Sequence, residues 1–298
     1  MLDYRVRTFL TVCEEGSYTK AADVLHVTQP AVTQHIHFLE DYYGTKLILT
    51  DGRKLRLTPE AETLKTALAA FENDEKHLID ILRRRDGSKK ALSFGVTVTI
   101  GEFVIARPLS AFLKSHDNYD IRIVITNTKV LLDKLRSGEI QIALVEGYFQ
   151  RKEFDSDVYR ADRFIPVASV RYPFRRKPSR LRDLFQERLL VREPGSGTRE
   201  ILEKSLGARG FRMSDFTSQT EINSIYTIIQ FLKESIGISF LYESAVREEI
   251  NAGSLCEIPL EDFSMFHDFS FLWNRGSIFS GEYRRFCEGL KQIQSTSL

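Results

Sequence analysis

The chain has 298 residues, 42% of them hydrophobic and 28% charged, with a formal net charge of +1. That length accommodates two domains, and that balance belongs to an ordinary globular protein, which excludes a disordered chain. A charge this close to zero also excludes indiscriminate binding to phosphate backbones, which takes a strongly basic chain. The opening run MLDYRVRTFL has neither the basic start nor the roughly 7–15 apolar residues of a secretory signal, and no stretch approaches the ~20 apolar residues of a membrane span; a cytoplasmic protein is expected. Cys13, Cys256 and Cys287 lie far apart without a CxxC or Cys/His cluster, so they are expected to pack as small hydrophobes, with neither a disulfide framework nor a metal site.

In chain order, Leu2, Val6, Phe9, Leu10 and Cys13 recur at helical spacing, and Gly16 follows where a left-handed stop is expected. Ser17 is suited to cap a short second helix over 18–25, whose Ala21 and Ala22 allow another helix to cross closely. After His26 and Val27, Thr28 is placed to cap a third helix with Pro30 in its first turn, running to about Tyr43 and stopping at Gly44. Its Val32, Ile36, Leu39 and Tyr43 form one stripe for packing, while Gln29, Thr33 and His37 form another that is free to touch a partner. Two short apolar runs, 46–49 and 55–57, flank Asp51-Gly52-Arg53-Lys54, a hairpin signal with two cations at its tip.

Thr58-Pro59 opens a long helix. Ala61, Leu64, Leu68, Phe71, Glu75, Leu78 and Leu82 alternate spacings of three and four, which suits a two-stranded coiled coil and equally suits an amphipathic helix packed on its own domain. The polar run Arg83-Arg84-Arg85-Asp86-Gly87-Ser88-Lys89-Lys90 reads as a hinge. From Leu92 onward, strand-like runs at 92–98, 121–126, 140–145, 163–170, 189–191, 236–241 and 269–273 alternate with helical stretches, which predicts an α/β domain with largely parallel strands.

The run GSYTKAADVLHVTQPAVTQHIHFLE over 16–40, the hairpin and the Thr58-Pro59 helix start closely resemble the DNA-binding end of LysR-type regulators. The matches to that family's pattern are Gly16, Ser17, Ala21, Ala22, Leu25, Thr28, Gln29, Pro30, Ala31, Val32, Thr33, Ile36, Leu39 and Glu40. A helix fits the major groove, where glutamine bonds adenine bidentately and a threonine methyl meets thymine. Gln29, Thr33, Gln34 and His37 are therefore expected at base edges, Pro30 as an apolar contact, Thr28 as cap and phosphate contact, and Arg53 and Lys54 on backbone phosphates. Residues 1–58 hold seven basic and seven acidic side chains, so DNA binding rests on placement and not on total charge. Thr50 and Gln34 stand where the family often has cations, which predicts a shallower salt dependence.

Further on, Leu135, Gly138, Gln141, Ile142, Ala143 and Leu144 match another stretch of the same family. The resemblance then implies an N-terminal winged helix-turn-helix over 1–58, a linker helix and hinge over 59–90 that dimerises, and an α/β, two-lobed, periplasmic-binding-protein-like effector domain over 91–298. One lobe is placed near 91–162 and 267–298 and the other near 163–266, with crossover strands near 161–165 and 266–270. Gly195-Ser196-Gly197-Thr198 lies between a strand and a helix, where converging N–H groups suit an anion, although such a turn is often only a turn. In this family it faces the region of Thr97, Thr99, Asn127 and Thr128, which makes a carboxylate or oxyanion the expected effector. Double-stranded DNA with a pseudo-palindromic operator, a homodimer or homotetramer, and RNA polymerase are the implied partners.

An enzyme is the competing class. There is no Gly-x-Ser-x-Gly, Walker A or GxGxxG run, and His26, His35, His37 and His77 lie in the N-terminal helices, leaving His116 and His267 as possible bases. Binding without chemistry, and without a metal or cofactor, is the expectation.

Overall fold

The computed structural model describes residues 3–51, 54–82 and 89–296, and the side chains of 50, 51, 54, 80, 295 and 296 lie outside the description. Two units emerge, one of Met1–Asp86 with Arg136–Gly138 and Asn274–Ser280, the other of Gly87–Leu135, Glu139–Trp273 and Gly281–Leu298.

In the first unit α1 (Tyr4–Glu15) ends at Gly16, whose φ of 60° is the left-handed cap that a residue without Cβ adopts freely. The Ser17 hydroxyl caps α2 (Tyr18–Leu25) by accepting from the Lys20 N–H at 3.3 Å. In α2, Ala21 and Ala22 are buried, so their small side chains let α2 pack closely on α1 and on α3 (Gln29–Tyr43). Phe9, Val12, Ala21, Val32, Ile36 and Leu39 form the core of this three-helix cluster. Tyr43 does not join it: the side chain is exposed, because Gly44 turns the chain away one residue later. Thr28 occupies the N-cap position without a side-chain cap bond, so its hydroxyl is not consumed by the helix.

Strands β1 (Ile48–Asp51) and β2 (Lys54–Leu57) pair antiparallel with Asp51 opposite Lys54, the register of a two-residue hairpin. The expected phosphate contact Arg53, the turn residue Gly52 and hinge residues 83–88 lie outside the described residues, as do the side chains of Thr50 and Lys54. Helix α4 (Pro59–Leu82) starts where Thr58 Oγ1 accepts from the Ala61 N–H at 3.1 Å and donates to the Lys46 carbonyl at 2.8 Å. The seven-position seam read along α4 is divided. Ala61 and Leu68 are buried in the core of the three-helix cluster with Leu64 against them, whereas Phe71, Leu78 and Leu82 are exposed. Helical spacing looks the same whichever surface receives the face, which is why one pattern covered both.

The second unit begins with β3 (Lys90–Thr97), α5 (Val98–Phe103), α6 (Ala106–Ser115), β4 (Tyr119–Thr126), α7 (Thr128–Arg136) and β5 (Ile142–Val145). Strand β3 pairs parallel with both β4 and β5. It continues through β6 (Phe154–Ser169), β7 (Arg188–Val191), α8 (Gly197–Gly207), β8 (Ser218–Glu221), α9 (Ile225–Lys233), β9 (Ser239–Tyr242), α10 (Glu243–Asn251), β10 (Leu255–Glu257), β11 (Phe266–Asn274) and α11 (Ser280–Thr296). The strand order is β10-β6-β11-β5-β3-β4, with β9 also on β6 and β7 parallel to β8. The pairs of β6 with β9 and β10, and of β11 with β5, are antiparallel, so the largely parallel sheet expected from the sequence is in fact mixed. The long strand β6 reaches from one hydrophobic core, at Phe154, to the other, at Ile165 and Val167, and its antiparallel partners β9 and β10 come from later in the chain.

Each lobe has its own core. Leu131, Leu135, Ile140, Ala143, Val145 and Leu272 fill one, and Ile165, Val167, Ile225, Ile229, Leu241 and Val246 fill the other. Leu68→Ala is expected to lower the unfolding free energy of the helix-turn-helix by about 2–5 kcal/mol in urea denaturation followed by circular dichroism, since it leaves a cavity; a loss under ~0.5 kcal/mol would contradict the packing of α4 on that core.

Candidate nucleic-acid interface and effector cleft

Helix α3 presents two faces. Val32, Ile36 and Leu39 are buried, while Gln29, Pro30, Gln34, His37 and Phe38 are exposed and Thr33 is half-buried. The expected base-edge residues therefore share one solvent face. Gln29 Nε2 donates to Thr33 Oγ1 at 2.9 Å, so the amide and hydroxyl hold each other in place. His35 plays a different part from His37: its Nδ1 lies 2.9 Å from Thr8 Oγ1 and its ring meets Tyr4 edge-on at 4.8 Å, tying α3 to α1. Arg5, clamped by Asp3, sits 3.5 Å over the Phe38 ring and braces the same helix from outside.

The hairpin is fixed to α3 by a residue that carried no assigned role, Glu40. Its carboxylate is buried and accepts from Lys46 Nζ at 2.6 Å and from the backbone N–H groups of Leu47 at 2.9 Å and Ile48 at 3.3 Å. Burial pushes this carboxyl up, but the Lys46 ammonium and the two N–H groups outweigh it and hold the carboxyl below the usual glutamate range. A side chain whose ionised form is favoured thus ties the hairpin to α3.

In the second unit the expected effector residues converge on an acid. Thr97 ends β3, Thr99 lies in α5 and Thr198 in the first turn of α8; all three are buried and all three hydroxyls donate to the Glu146 carboxylate. The distances are 3.0 Å from Thr99 and 3.1 Å from Thr198. Thr128 Oγ1 donates to the Glu146 backbone carbonyl at 2.7 Å. Gly195, with φ of 90°, accepts from the Lys129 N–H at 3.2 Å, and Asn127 Nδ2 reaches Glu193 Oε1 at 3.3 Å. Ser196 caps α8 by position only, buried and without a side-chain cap bond. A Cβ on Gly197 would come within 2.6 Å of Thr128 Oγ1 and closer still to the Glu146 carbonyl, so only glycine permits this approach of the two loops.

These loops lie together, and their threonine hydroxyls are engaged by the chain's own carboxylate instead of facing open space. Burial pushes the Glu146 carboxyl above the usual glutamate range, and the threonine hydroxyls and Arg192 only partly oppose this. Arg192 is buried, pairs through Nε and Nη2 with Glu193 at 2.8 Å and 3.0 Å, and leaves Nη1 without a partner. Sequence reasoning passed over Glu146 and Arg192; the usable signal was an acid directly after the fully buried strand Ile142–Val145, where a solvated end is the norm.

Chemistry is not supported by the remaining candidates. His116 stacks on Phe112 at 4.2 Å and bonds to its carbonyl at 3.1 Å, and His267 meets the Tyr148 ring at 5.4 Å. Burial pushes the Cys13 thiol up to about 12 and raises Cys287 as well, far from the thiolate that redox reactivity needs. Among the described residues no helix is long and apolar enough to cross a membrane, and no group of His, Cys, Asp or Glu is arranged to hold a metal ion.

Comparison with known proteins matches residues 4–62 to the bacterial regulatory helix-turn-helix protein, lysR family, and residues 85–294 to the LysR substrate binding domain. The HTH-type transcriptional regulator CysL of Bacillus subtilis is 27% identical over 90% of this chain and 89% of its own length. Among solved structures, full-length BenM aligns with a TM-score of 0.59 and 20% identity over 100% of this chain and 98% of that one. The Synechocystis PCC6803 CcmR regulatory domain in complex with 2-PG aligns with a TM-score of 0.59 and 18% identity over 68% of this chain and 98% of that one.

A pH prediction follows from Glu146. A carboxyl whose folded pKa lies above its unfolded value stabilises the fold fully below the unfolded value, and that contribution is lost as pH rises through the folded value. The melting temperature of wild type relative to Glu146→Gln is accordingly expected to fall as pH rises from about 4.5 through the raised range. A pH-independent difference in a thermal-shift series would contradict a raised Glu146.

Proposed function

This chain belongs to the LysR family of DNA-binding transcriptional regulators, with a ligand-binding substrate domain, and on that premise we propose how it reads DNA and what it senses. The observation that carries the reading is the exposed face of α3, where Gln29, Pro30, Thr33, Gln34 and His37 stand over a buried Val32–Ile36–Leu39 stripe. Gln29, Thr33, Gln34 and His37 read base edges in the major groove, Pro30 makes an apolar contact, and Thr28, Arg53 and Lys54 hold phosphates. Thr28 supports its part with a hydroxyl that α3 leaves uncapped.

Residues 1–58 act as the DNA-binding domain, 59–90 as a dimerising linker and 91–298 as the effector domain. Two recognition helices meet the half-sites of a pseudo-palindromic operator, and dimers pair further into tetramers. The exposed Phe71, Leu78 and Leu82 of α4 support self-association through its second half. The protein works in the cytoplasm, beside the DNA and RNA polymerase. The effector is a small carboxylate or oxyanion received between the lobes by Thr97, Thr99, Asn127, Thr128, Gly195, Ser196, Gly197 and Thr198. Support comes from the convergence of these residues and from the unpartnered Arg192 Nη1; the CcmR regulatory domain, of like fold, is itself a complex with 2-PG.

The test is a mobility shift of the full chain on its own upstream DNA with excess competitor. Replacing Gln29 and Thr33 together by Ala is expected to lower discrimination between operator and competitor by about ten- to a hundredfold while general DNA binding persists. Unchanged operator preference would remove α3 from base reading. Leu78→Ala with Leu82→Ala is expected to weaken self-association in sedimentation at least about fivefold; an unchanged association constant would remove α4 from the dimer interface.

A further inference from the structure

The place between the lobes is already filled. The buried Glu146 carboxylate is bonded from one lobe by Thr97 and Thr99 and from the other by Thr198. Arg192, Thr198 and Ser239 also line a small cavity of about 10 Å³ inside one lobe, room for about one water. Two deeply buried polar groups, Arg192 Nη1 and Tyr242 Oη, have no hydrogen-bond partner. Arg192 and Tyr242 both interact electrostatically with Glu146. A buried guanidinium N–H without an acceptor is costly, and an oxyanion is the group that satisfies it.

We propose that Glu146 is the chain's own ligand for this cleft: its carboxylate occupies the threonine seat and ties the lobes together, and an external anion acts by displacing it and taking up Arg192 Nη1. The displacement step rests on the anionic-effector reading above; the internal occupancy does not. The three hydroxyls that a carboxylate effector needs are those Glu146 engages, so the two cannot be seated together. The effector-free chain is then already in a ligand-like arrangement. An incoming anion changes which carboxylate bridges the lobes, and a larger or doubly charged one differs from Glu146 by reaching Arg192.

The experiment titrates the full chain with acetate and, separately, with inorganic phosphate, read by thermal shift and calorimetry. Glu146→Ala opens the seat, and acetate is expected to half-saturate it at a concentration about tenfold or more below that needed by wild type. Thr198→Val on that background is expected to reverse most of the gain. Glu146→Gln keeps the shape and so covers the case in which Glu146→Ala fails to fold; its neutral amide is a weaker acceptor and yields to phosphate about tenfold more readily than the acid does. Equal acetate and phosphate affinities across wild type and the folded variants overturn the proposal, and an acetate gain that survives Thr198→Val overturns the assignment of the seat. An acetate gain in Glu146→Ala with no phosphate response in wild type or Glu146→Gln upholds internal occupancy and removes the external anion, which is a failure of the effector reading alone.

Discussion

The buried carboxylate of Glu146 sets the terms for the effector domain. An acid taken out of water must find donors, and here they come from three separate places in the chain: the end of β3, the short helix after it, and the first turn of α8 across the cleft. Satisfying that one group therefore dictates how closely the lobes approach. Gly147, at φ of 105°, and Gly197 are required by the same closure, since a Cβ on either would strike the opposing backbone.

A second buried acid organises the DNA-binding unit, and the contrast between the two is informative. Glu40 is met by a Lys46 ammonium and two backbone N–H groups, so its ionised form is favoured and its carboxyl is held low despite burial. Glu146 is met by neutral hydroxyls, with Arg192 committed mainly to Glu193, and its carboxyl is pushed up. The first is a fixed strut between recognition helix and wing. The second is held by exchangeable hydroxyl bonds around an arginine with one idle N–H, which is the condition for replacement by another anion.

How much of this was legible in the sequence depended on whether the signal was local. Helix ends at Gly16, Gly44 and Thr58 were readable because a cap or a left-handed stop is written in one or two residues. The α3 faces were readable because period and burial coincide there. The α4 seam was ambiguous, since Leu68 packs on its own domain and Leu82 does not, while both sit at the same spacing. Strand β6 begins at Phe154, earlier than its apolar run suggested, because Asp155, Ser156 and Asp157 are polar and only half-buried or exposed, so no hydrophobic block marks its first half. Strand β8, Ser218–Glu221, has no apolar residue and left no signal. The effector loops were located by their glycines and threonines, yet the acid they surround was not, because the partners of Glu146 are 47 to 52 residues away from it in sequence.

The most direct measurement of the central claim is amide hydrogen exchange of the full chain, wild type against Glu146→Ala, without added anion. If Glu146 bridges the lobes, exchange in the first turn of α8 and in the loop before it accelerates in Glu146→Ala and returns toward wild type when acetate is added, while α9 and α10 are unaffected. Unchanged exchange across residues 193–200 in a folded Glu146→Ala would show that the lobes are held by something else, and the account of this cleft would fall.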